Sequence, residues 1–300
     1  MVIFTLILLL CLTILFALSY NRKTYQRINH LLDCVLNREE IPYSSLKEGN
    51  FSALAGRIER IQNVLEKQVS LAQEEKEQIK SLVSNMSHQL KTPLANLSLY
   101  TEILESPRLK EEQKKQAVKK LKKQVEKLDW ITGSLLKMIK LEQDVITFEA
   151  EERSIKETIT DALDAVYTKI EKKGIYFSAE LDQDYRLYHN RKWTAEVFVN
   201  ILENAVKYTE KSGTIRISIR PYELCTEICF SDTGMGIRDQ EITLIFQRFY
   251  RSPDVENIEG SGIGLYLSNL ILEKEKGYMI VKSQYGKGSA FSVFLQNCKK

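Results

Sequence analysis

The stretch Ile79-Lys-Ser-Leu-Val-Ser-Asn-Met-Ser-His88-Gln-Leu-Lys-Thr-Pro-Leu-Ala-Asn-Leu97 decides how the middle of the chain folds. Ile79, Leu82, Val83, Met86, Leu90, Leu94 and Leu97 gather on one side of a helix in a stripe roughly 120° wide. His88 lies two residues after Met86 and two before Leu90, so it points away from that stripe and stands in solvent. Thr92 comes one turn later on the same side, with Lys91 and Gln89 beside it, which makes a compact polar surface around the imidazole. Pro93 lacks an N–H and predicts a bend just beyond. Standing alone, the segment reads as a histidine on a solvated coiled-coil face.

Working outward, Ser106-Pro107-Arg108 marks a turn, and Val118, Leu121, Val125, Leu128, Ile131, Leu135 and Met138 predict a returning helix over 111–141. These two helices have more apolar face than they can bury against each other. A second copy completes a four-helix bundle, so a homodimer is expected. Upstream, Leu54, Ile58, Ile61 and Leu65 begin a heptad-like run whose middle is polar, a connecting coil short of maximal stability. Breaks are expected at Ile41-Pro42-Tyr43-Ser44 and at Glu48-Gly49-Asn50.

Met1 to Ser19 carry no charge and are mostly Leu, Ile, Val and Phe, long enough to cross a bilayer as a helix. Arg22 and Lys23 follow, which places the terminus outside and the bulk of the chain in the cytoplasm. The rival, a cleaved signal peptide, has a small-residue site in Ala17-Leu18-Ser19 but lacks a basic n-region. No extracellular sensor domain is expected, so a stimulus would arrive through the membrane helix, a partner protein or the stretch before the coil. A net charge of +3 over 300 residues gives no support for nucleic-acid binding. Cys11, Cys34, Cys225, Cys229 and Cys298 show no metal-ligand spacing and read as free thiols in a reducing compartment.

Beyond about residue 147 the period changes. Helices are expected over 154–172, 193–207 and 264–274, and strands over 175–179, 214–219, 224–231, 279–284 and 290–295, which makes a two-layer α/β sandwich. Asn200, Glu203, Asn204 and Lys207 form one polar stripe on the second of these helices. Amide oxygens beside a lysine suit a magnesium triphosphate, although such a stripe is also an ordinary solvated face. Asp232 ends a strand in Ser-Asp-Thr-Gly-Met-Gly-Ile, where a carboxylate can accept a base amino group and glycines allow close approach. Gly260-Ser-Gly-Ile-Gly-Leu265 leads into a helix whose N-terminal amides can hold phosphate. It is neither a dinucleotide fingerprint, since no first strand precedes it, nor a Walker A sequence.

In these residues the chain resembles the bacterial sensor histidine kinases of two-component systems over about 78–297. His88 with Lys91-Thr-Pro-Leu94 resembles the phosphoacceptor box, Asn200 to Tyr208 the N box, and Asp232 to Ile237 the first glycine box. Phe246-Gln-Arg-Phe-Tyr-Arg251 resembles the F box, Gly260 to Leu265 the second glycine box, and Gly286-Lys-Gly-Ser-Ala-Phe291 the last turn closing over adenine. With the apolar start read as a transmembrane helix over 1–20 and the coil as a linker over 21–77, the resemblance implies a dimerisation and phosphotransfer domain over 78–146 and an ATP-binding domain of the histidine kinase/Hsp90 type over 147–300.

It further implies that His88 accepts the γ-phosphoryl group of ATP and passes it to an aspartate of a separate response regulator. Asn204 would coordinate Mg2+ and Asp232 would recognise adenine. Lys207, with Arg248 or Arg251, would approach phosphates or stabilise a lid over 238–259. The ATP site would also take in Asn200, Tyr208, Gly234, Gly236, Ile237, Gly260, Gly262, Gly264, Leu265 and Ser289. The family commonly has an acidic residue directly after the phosphoacceptor, where this chain has Gln89. An amide cannot take a proton, so Glu203 or another carboxylate would substitute. Gln89 and Thr92 could still orient water for dephosphorylating the regulator. Asn190 and Ser289 stand where aspartate and threonine are common. A catalytically weak or phosphatase-biased scaffold is the alternative, and an ATPase of the chaperone and topoisomerase type would leave His88 unused. Control by a membrane transporter or another membrane sensor fits the short N-terminal part.

Overall fold

The computed structural model describes residues 2–37, 49–106, 109–143, 148–181, 183–255, 258 and 260–298. They fall into two compact units, Met1–Val83 and Ser84–Lys300.

The first unit holds α1 (Val2–Asn37) and the start of α2 (Gly49–Glu105). The apolar side chains of α1 from Ile3 to Leu18 are exposed. Among the described residues α1 is the one helix long and apolar enough to cross a membrane. The break expected at 41–44 lies outside the described residues, and Gly49 and Asn50 already belong to α2.

In the second unit α2 continues through Pro93 to Glu105 as one helix. Pro93 is buried and has no N–H, so the carbonyl of Gln89 lacks its usual partner one turn on. After the hairpin turn, whose Pro107 and Arg108 lie outside the described residues, α3 (Glu111–Glu142) returns. Gln113 opens it by accepting from the Lys110 N–H at 3.1 Å. Lys120 Nζ lies 5.7 Å from the centre of the Tyr100 ring, which aligns the two antiparallel helices. By that alignment His88 stands level with about Thr132, and counting back from the turn gives about Leu128. Towards its C-terminal end α3 buries Ile131, Ser134, Leu135, Met138 and Leu141, and it packs on α6.

Among the described residues the remainder is a seven-stranded sheet with three α-helices. In chain order it runs β1 (Glu151–Ser154), α4 (Ile155–Lys173), β2 (Tyr176–Glu180), β3 (Arg186–His189), α5 (Arg191–Tyr208), β4 (Thr214–Pro221), β5 (Cys225–Asp232), α6 (Gly264–Lys274), β6 (Tyr278–Gln284) and β7 (Gly288–Gln296). The strand order is β1-β3-β7-β5-β4-β2, with β6 also paired to β7. Only β2 and β4 are parallel. Ser154 caps α4 by accepting from the Glu157 N–H, and Gly174, at φ 68°, ends it. On α4 the residues Ile155, Ile159, Ala162, Val166 and Ile170 are buried at helical spacing. They meet Val197, Phe198, Ile201 and Leu202 of α5, and the sheet supplies Ile215, Ile217, Ile228, Phe230 and Val293. The Phe198 and Phe230 rings lie 5.0 Å apart. Each such side chain contributes about 1.5–3 kcal/mol on burial, so this layer fixes where α5 and the end of β5 stand.

Candidate active site

Because α5 turns Val197, Phe198, Ile201 and Leu202 to the sheet, its opposite face carries Asn200, Glu203, Asn204 and Lys207 to a cavity of about 550 Å3. The cavity walls come from α5, the end of β5, the segment leading to α6, and the hairpin helix α3. The Asn200 amide donates to Ser268 Oγ at 3.2 Å, and that hydroxyl donates to the Gly264 carbonyl at 2.9 Å. This chain of bonds ties the polar stripe of α5 to the first turn of α6.

At the other end stands Asp232, the last residue of β5. Its Oδ1 accepts from the N–H of Gly234 at 2.8 Å and from that of Ser289, its cross-strand neighbour, at 3.3 Å. Local burial pushes its carboxyl above the ordinary range, and the two N–H groups partly offset this. The backbone packs tightly around it. A Cβ on Gly288, whose φ is +116°, would lie 2.0 Å from the Asp232 carbonyl oxygen, and one on Gly236, at φ +68°, would lie 2.1 Å from that of Gln284. Ser283 secures the same corner, accepting from the Ile237 N–H at 2.8 Å and donating to the Gly288 carbonyl at 2.9 Å.

Between these ends stand several lysines. Lys207 Nζ sits 4.8 Å above the Tyr208 ring, beside Gly260. Lys169 of α4 bonds the Glu203 carboxylate at 2.5 Å. Lys123 and Lys127 of α3 add further charge at the wall. Ammonium groups and a half-buried carboxylate at opposite ends match a polyphosphate joined to a base that donates an amino hydrogen. Among the described residues no three His, Cys, Asp or Glu side chains cluster to hold a metal. A hard cation that keeps its waters and binds through phosphate oxygens does not require such a cluster, and the amide oxygens of Asn200 and Asn204 suit it. The residues present therefore fit a magnesium nucleotide.

The segment from β5 to α6 is laced. Arg238 grips Asp254 with two bonds of 2.8 and 3.0 Å, and the Tyr250 hydroxyl donates to Glu241 at 2.9 Å. Arg251 lines the cavity, yet its guanidinium donates to the carbonyl oxygens of Val255 and Ile258. It holds the lid. Arg248, assigned with it from the sequence, is not among the described residues lining the cavity. It meets Glu142 at the end of α3 at 2.7 Å and lies 4.8 Å from the centre of the Tyr266 ring. Tyr266 donates to the same carboxylate at 2.7 Å, and burial, with that bond, pushes its phenol up to about 12. The guanidinium thus serves the contact with the hairpin.

Of the remaining sequence-predicted residues, Tyr208, Ile237, Gly262, Leu265 and Ser289 line the cavity, and Gly234 acts through Asp232. His88, Gln89 and Thr92 stand on α2, outside the described lining. His88 is exposed, Gln89 is half-buried, and Thr92 Oγ1 donates to the His88 carbonyl at 3.5 Å. Sequence reasoning missed Lys169, Ser283 and the α3 residues Glu126 and Trp130, all of which lie outside the motifs.

Comparison with known proteins agrees. Residues 78–144 match the His Kinase A (phospho-acceptor) domain, and residues 189–298 match the histidine kinase-, DNA gyrase B- and HSP90-like ATPases. Sensor histidine kinase AtsR of Burkholderia thailandensis is 30% identical over 217 residues, covering 70% of this chain and 36% of that protein. Sensor protein SrrB of Staphylococcus aureus is 26% identical over 225 residues, 72% of this chain and 38% of that protein. The signal transduction histidine-protein kinase/phosphatase MprB of Mycobacterium leprae is 26% identical over 216 residues, 70% and 41% respectively. The chain thus spans about two fifths of the length of these relatives. Among solved structures, histidine kinase AdeS of Acinetobacter baumannii shares the fold with a TM-score of 0.60 at 21% identity, over 71% of this chain and 98% of that one. Histidine kinase ThkA, in its complex with response regulator protein TrrA, does so with a TM-score of 0.63 at 17% identity, over 75% and 64%.

Proposed function

The chain carries the phospho-acceptor and ATPase-type domains of a two-component sensor histidine kinase, and on that premise we propose that it phosphorylates its own His88 from ATP and passes the group to an aspartate of a response regulator. One observation carries the reading: a single cavity joins Asp232, the amide stripe of α5 and several lysines, against a hairpin that presents His88 at the same height.

A lone pair of the His88 imidazole forms the bond to the γ-phosphorus as the bond to the bridging oxygen breaks and ADP leaves. The ring's remaining proton is then shed. Gln89 cannot take it, so the proton leaves to water or to a carboxylate of the cavity. Glu203, paired with Lys169, is the carboxylate that α5 brings there. Asp232 selects the base through its carboxylate, Lys207 offsets phosphate charge, and Arg251 keeps the lid folded. Magnesium, when bound, would neutralise phosphate charge beside Asn204 and Asn200.

The apolar stripe left exposed on the hairpin supports a homodimer. A single span by α1, with the catalytic part in the cytoplasm, follows from its length and from Arg22 and Lys23 behind it. Gln89 and the pairing of Glu203 with Lys169 favour a second reading, a protein biased towards dephosphorylating its regulator.

The test is the full chain in lipid, incubated with γ-labelled ATP and magnesium beside His88→Gln. Acid-labile label is expected on the first and absent from the second, and it should move to a receiver domain. Equal label on both would sink the assignment of His88. No label on either, with ATP bound, would favour the second reading.

A further inference from the structure

We infer that each chain of the dimer phosphorylates its own histidine and not its partner's. This rests on the kinase reading above and deepens it.

The carrying observation is which side of α3 the catalytic part occupies. Lys127, Trp130 and Ile131 of α3 line the cavity, and Ser134, Met138 and Leu141 continue the same face into buried packing. The contact is fastened at its far end by Glu142 to Arg248 and Tyr266, and beside it Lys137 bonds Glu196 of α5 at 2.6 Å. At about 100° per residue these positions centre on one direction around the helix. A different sector, with Ala117 and Leu135 buried and Leu121 and Leu128 half-buried, faces the chain's own α2, and Lys120, at the edge of that sector towards the cavity, reaches Tyr100 of α2. That sector is about a quarter-turn away. A third sector carries Val118, Val125 and Leu136, which are 53%, 49% and 58% exposed in the single chain. It is the apolar face a second copy would cover, and it lies about half a turn from the cavity.

Around α3 the cavity therefore adjoins the chain's own α2 and stands opposite the side where the partner's α2 packs. Height agrees with side. His88 is level with about residues 128–132 of α3, the stretch that includes Trp130 and Ile131. The nearest histidine that a nucleotide in this cavity can reach is the one on the same chain.

Two differently tagged full-length chains, His88→Gln and Asn204→Asp, would be co-expressed, and the mixed dimers isolated by tandem purification in lipid. Neither variant can label itself, because one lacks the acceptor and the other the metal-binding amide. Mixed dimers are expected to carry less than a tenth of the wild-type label. Dimers of a wild-type chain with a chain bearing both substitutions are expected to keep about half the label, all of it on the wild-type chain. Label on the Asn204→Asp chain of the first mixture, near half the wild-type level, would overturn the inference while leaving the kinase reading intact. Absence of label from the wild-type homodimer would sink the kinase reading, and this inference with it.

Discussion

Asp232 is fixed before any ligand arrives. Its Oδ1 is already taken by the N–H groups of Gly234 and Ser289, and Gly288 and Gly236 let the backbone close in around it. In the proposed reading a base amino group would meet the carboxylate from the cavity side. Asp232→Asn keeps the shape but loses the charge and puts an N–H₂ where an acceptor is needed. Hydrogen bonds to charged groups contribute roughly 1.5–3 kcal/mol, so ATP affinity should fall by about tenfold to a hundredfold with the far-ultraviolet circular dichroism unchanged. Titration calorimetry reads it directly. An affinity within a factor of two of wild type would remove Asp232 from the base site. The residues that make this chemistry were legible because each motif is local: Asp232 to Ile237 and Asn200 to Lys207 carry their own spacing. Lys169 was not. It stands 34 residues from Glu203, on a helix whose exposed lysines look like any solvated face.

Between elements, the junction of α5 and α6 turns on a buried acid. Glu275, just beyond α6, accepts from the Asn190 N–H at 2.9 Å and from the Thr194 hydroxyl at 2.8 Å, and so ties the start of α5 to the end of α6. Burial raises its carboxyl from 4.5 to about 7, against the pull of those two donors. Below pH 4.5 it is protonated in both the folded and unfolded chains and costs nothing. As pH rises towards 7 the unfolded chain releases the proton while the folded one keeps it, so stability is lost across that window and the loss is complete above it. Nearby His189 acts in the opposite sense. Fully buried, with Thr158 at 2.8 Å and the Leu187 carbonyl at 3.0 Å from its ring nitrogens, it resists protonation, so its contribution is lost as pH falls. Glu275→Gln removes only the first of these effects. Relative to wild type it should gain on the order of 3 kcal/mol between pH 4.5 and pH 8, read from urea midpoints at the two values. An equal difference at both pH values would show that Glu275 ionises normally. The helices around this junction were readable, α6 to the residue, because capping groups and apolar spacing agree. Strands β1 and β3 were not, since four residues with one or two buried side chains are too short a run for alternation to stand out.

At the scale of the whole molecule, the hairpin presents two faces with different fates. One is covered by the chain's own catalytic part, and the other, with Val118 and Val125, is open to a second copy. Val118→Glu with Val125→Glu would place two charges from each chain in the centre of a four-helix bundle and should halve the protein mass measured by light scattering of the full chain in detergent. An unchanged mass would show that the chains associate elsewhere. The covered face has its own mechanical consequence. Grips on α3 run from Lys123 at the cavity wall to Glu142 at the far end, about 28 Å of rigid rod. A rod held over such a length cannot tilt and keep every hold: about 5° of rotation at one end moves the other by roughly 2.4 Å, more than a hydrogen bond tolerates. The catalytic part is thus peeled away from one end, like tape from a ruler, and a stimulus need supply only the force to lift an edge.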